Sequence, residues 1–254
     1  MRRFEGKTVV VTGAGSGIGA ATARRFAEEG ANVVLGGRRR EKLETAAEGM
    51  DQAKTLLRET DVLRQADVEA LIAAAAETFG RVDVLVNNAG TATFAPFLEG
   101  SAEEWHRIFA VNVDGVFFGC RAAIPHLLKT GGSIVNVSSV SGTGADWNMS
   151  FYNASKAAVT NLTRALALEL GGKGVRVNAV NPSLTATDMA ESITSNQAMM
   201  DKFKDRIPMG RAADPKEVAA VIAFLASEDA SFVNGVNLPV DGGLGASNGQ
   251  PRLG

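Results

Sequence analysis

Cysteine, histidine and tyrosine are scarce in this chain: its 254 residues hold one cysteine, two histidines and one tyrosine. A lone thiol closes no intramolecular disulfide, so nothing covalent calls for an oxidising compartment. So few soft ligands leave no basis for a zinc site, and no metal is expected. Cys120, within Val116-Phe117-Phe118-Gly119-Cys120, reads as a buried small apolar residue. A surplus of charge is missing too. The 26 Lys+Arg stand against 28 Asp+Glu, a formal charge of −2 with a pI of about 5.8. Phosphate backbones are bound by concentrated basic surfaces, so no nucleic-acid partner is expected. Neither a signal-like apolar stretch near Met1-Arg2-Arg3-Phe4-Glu5-Gly6-Lys7 nor a run of membrane-span length is visible. The expectation is a soluble cytoplasmic protein with no membrane partner.

What is present is an alternation of β-rich apolar runs with stretches of helical period. Thr8-Val9-Val10-Val11 is followed by a helix whose inner face reads Ile18, Ala21, Thr22 and Phe26, ending at Gly30. Further strands are expected at Asn32–Leu35, Val82–Val86, Ser133–Val137, Val175–Val180 and Val236–Val240. Between them, helices are expected from near Arg40, along Val68, Leu71, Ile72, Ala75 and Phe79, around Glu103–Cys120, and from about Ser150 to Leu170. Val218, Val221, Ile222 and Leu225 mark the last. This order predicts an α/β fold, a doubly wound parallel sheet with helices on both faces. No Pro- or Gly-rich linker divides the chain, so residues 1–254 form one domain, with a candidate substrate lid at about 183–208.

Thr12-Gly13-Ala14-Gly15-Ser16-Gly17-Ile18-Gly19 joins the first strand to the first helix. Glycines allow a tight turn and let a pyrophosphate approach backbone amides at a helix N-terminus, which favours anions. Its spacing is T-G-x-x-x-G-x-G rather than G-x-G-x-x-G. A carboxylate at the end of the second strand would select NAD, but the residues there are Gly36-Gly37-Arg38-Arg39-Arg40. Arg38 and Arg39 suit a 2′-phosphate through charge and planar donors, which favours NADP and leaves NAD open. The alternative is that they open a solvated helix.

Tyr152 and Lys156 stand at i and i+4, on one helix face. A free phenol, with a pKa of about 10, is a poor base at neutral pH. A cation about 4 Å away is worth about 4 kcal/mol at intermediate dielectric, enough to bring the phenol close to 7. Ser139, just beyond the strand Ile134-Val135-Asn136-Val137, is a candidate to hold a substrate oxygen, with Ser138 competing for that role. Asn112 is a polar residue in an apolar helix, read either as satisfied by backbone or as part of a proton relay.

These pieces together resemble the short-chain dehydrogenase/reductase family over essentially the whole chain. The matching segments are Thr12–Gly19, Asp61-Val62, Asn87-Asn88-Ala89-Gly90, Asn112, Ser139, Tyr152-x-x-x-Lys156, Asn181-Pro182, Thr187 and Asp241-Gly242-Gly243. The resemblance implies a single-domain Rossmann fold, commonly a homotetramer, and an NAD(P)-dependent enzyme that reduces a ketone or oxidises a secondary alcohol. It implies Asn112, Ser139, Tyr152 and Lys156 as a catalytic tetrad. Along the cofactor it implies Gly13, Ser16, Gly17, Ile18, Gly19, Asp61, Val62, Asn88, Ala89, Gly90, Pro182 and Thr187, with Tyr152 and Lys156 at the nicotinamide ribose. Ser183 stands where the family usually has Gly.

Within the family the chain is similar to acetoin/2,3-butanediol dehydrogenases. The similarity lies in Val140-Ser141-Gly142-Thr143-Gly144-Ala145-Asp146-Trp147, Asn181-Pro182-Ser183-Leu184 and the tail Ala246-Ser247-Asn248-Gly249-Gln250-Pro251. That group usually carries an acid at position 37, where this chain has Gly37. The implied substrate is a small diketone, hydroxyketone or diol, with Asp146, Trp147, Ser183 and Gln250 as candidate contacts. Trp147 as a packing residue and Asp146 as a turn cap remain open. Two other functions stand beside this one: a 3-oxoacyl-carrier-protein reductase, and a non-catalytic dinucleotide sensor. The complete tetrad argues against the sensor.

Overall fold

A computed structural model describes residues 2–250. In chain order the elements are β1 (Thr8–Thr12), α1 (Gly17–Glu28), β2 (Asn32–Gly37), α2 (Arg40–Ala47), β3 (Thr55–Glu59), α3 (Gln65–Phe79) and β4 (Val84–Asn87). There follow α4 (Ala102–Phe109), a π turn (Ala110–Asp114), α5 (Gly115–Thr130), β5 (Ser133–Val137), α6 (Ser150–Gly171) and β6 (Arg176–Pro182). The short α7 (Glu191–Thr194), then α8 (Gln197–Arg206), α9 (Pro215–Ala226) and β7 (Asn237–Val240) complete the chain.

All seven strands pair in parallel, in the order β3-β2-β1-β4-β5-β6-β7. Apolar strand runs are explained by burial on both faces, as a parallel sheet requires. Strand alternation sorts the side chains into two cores. Val9, Val11, Val33, Leu35, Val84 and Val86 pack with Phe26, Val218 and Ile222 on the α1/α9 side. Val10, Val34, Leu85 and Ile134 pack with Leu71, Val116, Leu127 and Val159 on the α3/α5/α6 side. Strands β2 and β3 lie on one side of β1, and β4 to β7 on the other. Winding therefore reverses between β1 and β4, and the crevice at their carboxyl ends is where such sheets take ligands.

Several elements differ from the sequence expectation. Strand β3 was not expected; it is a half-exposed edge strand carrying Arg58 and Glu59, so it lacks the apolar run of its neighbours. The helix expected to reach Cys120 continues to Thr130 through Pro125, and Gly131 in the left-handed region ends it. Ala102–Thr130 is also long and apolar enough to cross a membrane by length and composition, contrary to the expectation that no such run exists. Here Val116, Cys120, Ala123 and Leu127 on that helix lie in the core beneath the sheet.

Ile134 is fully buried between β4 and β6 on the α6 side. Ile134→Ala should lower stability by about 2–5 kcal/mol, read as a lower urea midpoint with an unchanged slope. A midpoint that does not move would contradict this packing.

Candidate active site

The β1–α1 loop is built so that side chains are absent where the backbone must approach a ligand. Gly13 has φ +64, and a Cβ there would stand 2.8 Å from the Ala89 Cα. Gly17 has φ +52, and its Cβ would stand 2.9 Å from the Thr187 Cγ2. Both positions demand glycine, for conformation and for space. Ser16 caps α1 without a side-chain hydrogen bond, and the first turn holds no acidic residue. The free amides of Gly17, Ile18 and Gly19 therefore face an anion site with nothing competing for them. Asn88 braces this loop from the neighbouring strand, its Nδ2 donating to the carbonyls of Thr12 (3.0 Å) and Gly13 (3.1 Å). The Thr12 hydroxyl accepts from the amides of Asn88 and Ala89. The residues present fit the pyrophosphate of a nicotinamide dinucleotide.

A second cluster lies beyond β5. Ser139 is buried at the strand's carboxyl end, and Tyr152 and Lys156 reach it from the first turns of α6. The Lys156 Nζ donates to the Val137 carbonyl at 2.9 Å and sits 5.6 Å from the centre of the Tyr152 ring. Lys156 is 5% exposed, and burial brings its ammonium down to about 8. Burial likewise pushes the Tyr152 phenol above its ordinary value; the Ser139 hydrogen bond pulls it back and the Asp146 charge raises it further. This differs from the expectation of a phenol drawn close to 7 by Lys156. Spacing places the two groups on one face, but desolvation outweighs the cation, whose proton is aimed at a carbonyl. Gly90 lies against the Asn112 amide and the Lys156 ammonium. Asn112, in the π turn, accepts from the Thr91 amide (2.8 Å) and donates to the Thr91 carbonyl and the Ser155 hydroxyl. Ser138, the competitor of Ser139, is committed to the Lys156 carbonyl and Thr160 within the fold.

A profile described as enoyl-(acyl carrier protein) reductase matches residues 13–245. The meso-2,3-butanediol dehydrogenase of Serratia marcescens is 52% identical over 251 residues, 99% of each chain. The chain belongs to the short-chain dehydrogenase/reductase family. Levodione reductase superposes with a TM-score of 0.93 at 38% identity, over 96% of this chain and 100% of that one. The 3-ketoacyl-(acyl-carrier-protein) reductase from Brucella melitensis, complexed with NADH, gives 0.88 at 39% identity, over 94% and 98%. This short-chain dehydrogenase/reductase is thus an NAD(P)-dependent oxidoreductase.

Beyond the carboxyl ends of β2 and β3 lies a cleft of about 390 Å³ lined by Arg38, Arg58, Glu59, Thr60, Asp61, Asp67 and Ala70. Arg38 and Arg39 are exposed. Asp61 accepts from the Leu63 amide, and Val62 is buried against Gly115. At the opposite end, Pro182 closes β6, its carbonyl 3.5 Å from the Ser139 hydroxyl. Ser183 hydrogen-bonds the Val240 carbonyl, and Thr187 meets Gly17. Trp147 is 91% exposed, and Gln250 is exposed at the end of the described residues. The Asp146 carboxylate accepts from the Ser141 hydroxyl. Sequence reasoning missed Thr12 as the brace of the loop, Arg58 in the cleft and Ser141; only Ser141 left a signal, as the second serine of Ser139-Val140-Ser141.

Burial of Lys156 has a thermodynamic signature. Below pH 8 the ammonium is charged in both states, and the folded chain bears the desolvation cost. Between about 8 and the ordinary 10.5, the unfolded chain binds a proton that the folded chain lacks, so stability from this group rises with pH. The stability of the wild type minus that of Lys156→Met should therefore increase across that window in urea melts. Parallel curves would contradict it.

Proposed function

We propose that this enzyme interconverts a small diketone or hydroxyketone with the corresponding hydroxyketone or diol, with Tyr152 as the general acid/base. The observation that carries the reading is the meeting of Tyr152 with Ser139 and buried Lys156 beside the glycine cradle. The relationship to a meso-2,3-butanediol dehydrogenase over nearly the whole chain supports the substrate class.

In carbonyl reduction Tyr152 gives its phenolic proton to the substrate oxygen, and in alcohol oxidation it takes the proton back. The Ser139 hydroxyl donates to the same oxygen and fixes its position. Lys156 stabilises the phenolate that remains, since its charge faces the ring in a dry setting. Asn112 completes the tetrad by tying the loop after β4 to α6 through Thr91 and Ser155. The nicotinamide dinucleotide, when bound, supplies or accepts the hydride at the substrate carbon. Gly13, Ser16, Gly17, Ile18 and Gly19 would hold its pyrophosphate. Asp61 and Val62 would border the adenine, with Asn88, Ala89 and Gly90 alongside the dinucleotide. Lys156 and Tyr152 would bind at the nicotinamide ribose, Thr187 near the carboxamide and Pro182 along the cofactor.

The cofactor we assign is NADP in preference to NAD. Gly37 offers no carboxylate to repel a 2′-phosphate, while Arg38 and Arg39 offer guanidinium groups free of ion pairs among the described residues. Ser183 and the segment 183–208, with α7 and α8, serve as the wall and lid over the substrate, and Trp147 stands at the mouth. Exposed apolar residues, Phe117 on α5 and Leu168 on α6 on the same side of the sheet and Phe232 before β7, suit packing against further copies in a cytoplasmic homotetramer.

Initial rates with diacetyl, acetoin and an acetoacetyl thioester test the substrate. Fast turnover of the first two with little thioester reduction is expected; activity confined to the thioester would replace the reading with a 3-oxoacyl-carrier-protein reductase. Arg38→Ala should raise the KM for NADPH about tenfold and leave that for NADH unchanged. Equal effects on both would overturn the NADP assignment.

A further inference from the structure

Strands β4, β5 and β6 are neighbours in the sheet, so the loops that leave their carboxyl ends stand side by side around Ser139. Each carries a large apolar side chain turned to solvent. Phe94 after β4 is 70% exposed, Trp147 after β5 is 91% exposed and Met189 after β6 is 57% exposed. Single exposed apolar residues are ordinary, but several on adjoining loops at the mouth of one crevice mark a place where an apolar group is taken up.

Phe94 and Trp147 are paired by the backbone. The Ala95 amide donates to the Asn148 carbonyl at 2.9 Å, so each aromatic residue leaves its loop one position before the bonded pair. Asn148, with φ 58, is the one non-glycine residue in the left-handed region among the described residues. Asparagine adopts that conformation at some cost, and such costs are kept where a loop must hold a shape for function. The ground behind the pair is firm. Gly100 lies against the Phe151 ring, where a Cβ would stand 2.6 Å away, and Phe97 and Trp105 meet the same ring edge-on. Phe151 directly precedes Tyr152. Asp146, just before Trp147, is bonded through the Ser141 hydroxyl to Ser139. Both aromatic residues are therefore tied to the segments that hold the candidate acid/base.

Charge on these loops excludes one kind of ligand. Glu99, Asp146, Asp188 and Glu191 are exposed within residues 91–100, 143–149 and 185–200, which hold no lysine or arginine. An anionic group meets repulsion there, whereas an uncharged alkyl or aryl group meets aromatic faces. We propose that Phe94 and Trp147 are specificity-determining residues that bind an uncharged apolar arm on the substrate carbonyl, so that the preferred substrates are diketones or hydroxyketones longer than diacetyl and acetoin. The proposal rests on the carbonyl chemistry assigned above to this site.

The test is kcat/KM for diacetyl, 2,3-pentanedione, 2,3-hexanedione and 2,3-heptanedione in the wild type, Phe94→Ala, Trp147→Ala and Trp147→Phe. Taking one methylene out of water is worth up to about fourfold, so the wild type should gain roughly two- to fourfold per added methylene. The readout is the slope within each protein, so any change common to all four substrates cancels. Both alanine variants should flatten the slope, and Trp147→Phe should restore most of it. A diketone of heptanedione length whose arm ends in a carboxylate should be a poorer substrate than diacetyl. A flat wild-type series, or a slope that survives both alanine substitutions, would overturn the proposal. Alanine variants that change only the sedimentation coefficient would give the pair to a contact between copies and overturn it equally.

Binding is read separately from turnover. The monoketone 2-heptanone, which bears a plain alkyl arm, is titrated into the protein with oxidised dinucleotide, where no reduction can occur. The emission of the exposed Trp147 should move to shorter wavelength, and Trp147→Phe, which leaves Trp105 as the only indole, should show no such move. A wild type that turns over no diketone yet gives this shift would sink the proposed function and leave the arm site standing. A wild type without the shift would overturn the arm site.

Discussion

The hydrogen bond from the buried Lys156 ammonium to the Val137 carbonyl is the interaction on which the site depends. It fastens α6 to the carboxyl end of β5 at the point where Ser139 leaves the strand. No carboxylate neutralises this lysine among the described residues, so the fold pays for a dry, unpaired cation. Such a cost is expected where a charge must act on a neighbour rather than be quenched by a partner. Here the neighbour is the ring of Tyr152, one helical turn away.

The sheet explains why the two halves of the site meet. Reversal of winding between β1 and β4 opens a crevice between the glycine loop and the loop after β4. Asn88 and Thr12 close the gap between those loops with hydrogen bonds. From β4 the chain passes to Gly90 and Thr91, which meet Asn112 and Lys156. One continuous set of contacts therefore runs from the glycine loop to Lys156 beside the Tyr152 ring. The π turn at Ala110–Asp114 belongs to this set, because a bulge inside a helix re-aims one side chain, and the one it carries is Asn112.

How much of this was legible in the sequence depended on whether a residue acts through local pattern or through its surroundings. The parallel sheet followed from period and order, since strands buried on both faces are written as apolar runs. Strand β3 escaped because an edge strand with Arg58 and Glu59 has no such run. The glycine loop was legible because positive φ leaves a mark that only glycine fits. Tyr152 and Lys156 were legible from their spacing on α6, but the direction of the phenol's shift was not. That direction comes from burial and from Asp146, neither of which spacing encodes. The link from Ser139 through Ser141 to Asp146 was likewise hidden, because it is made by the fold of one short turn.

In the proposed mechanism Tyr152 moves the proton while the rest of the site positions it. The measurement that tests it most directly is the activity of Tyr152→Phe alongside its calorimetric affinity for the dinucleotide. A loss of at least about 100-fold in kcat, with binding and fold preserved, is expected. A phenylalanine variant that turns over at the wild-type rate would contradict it.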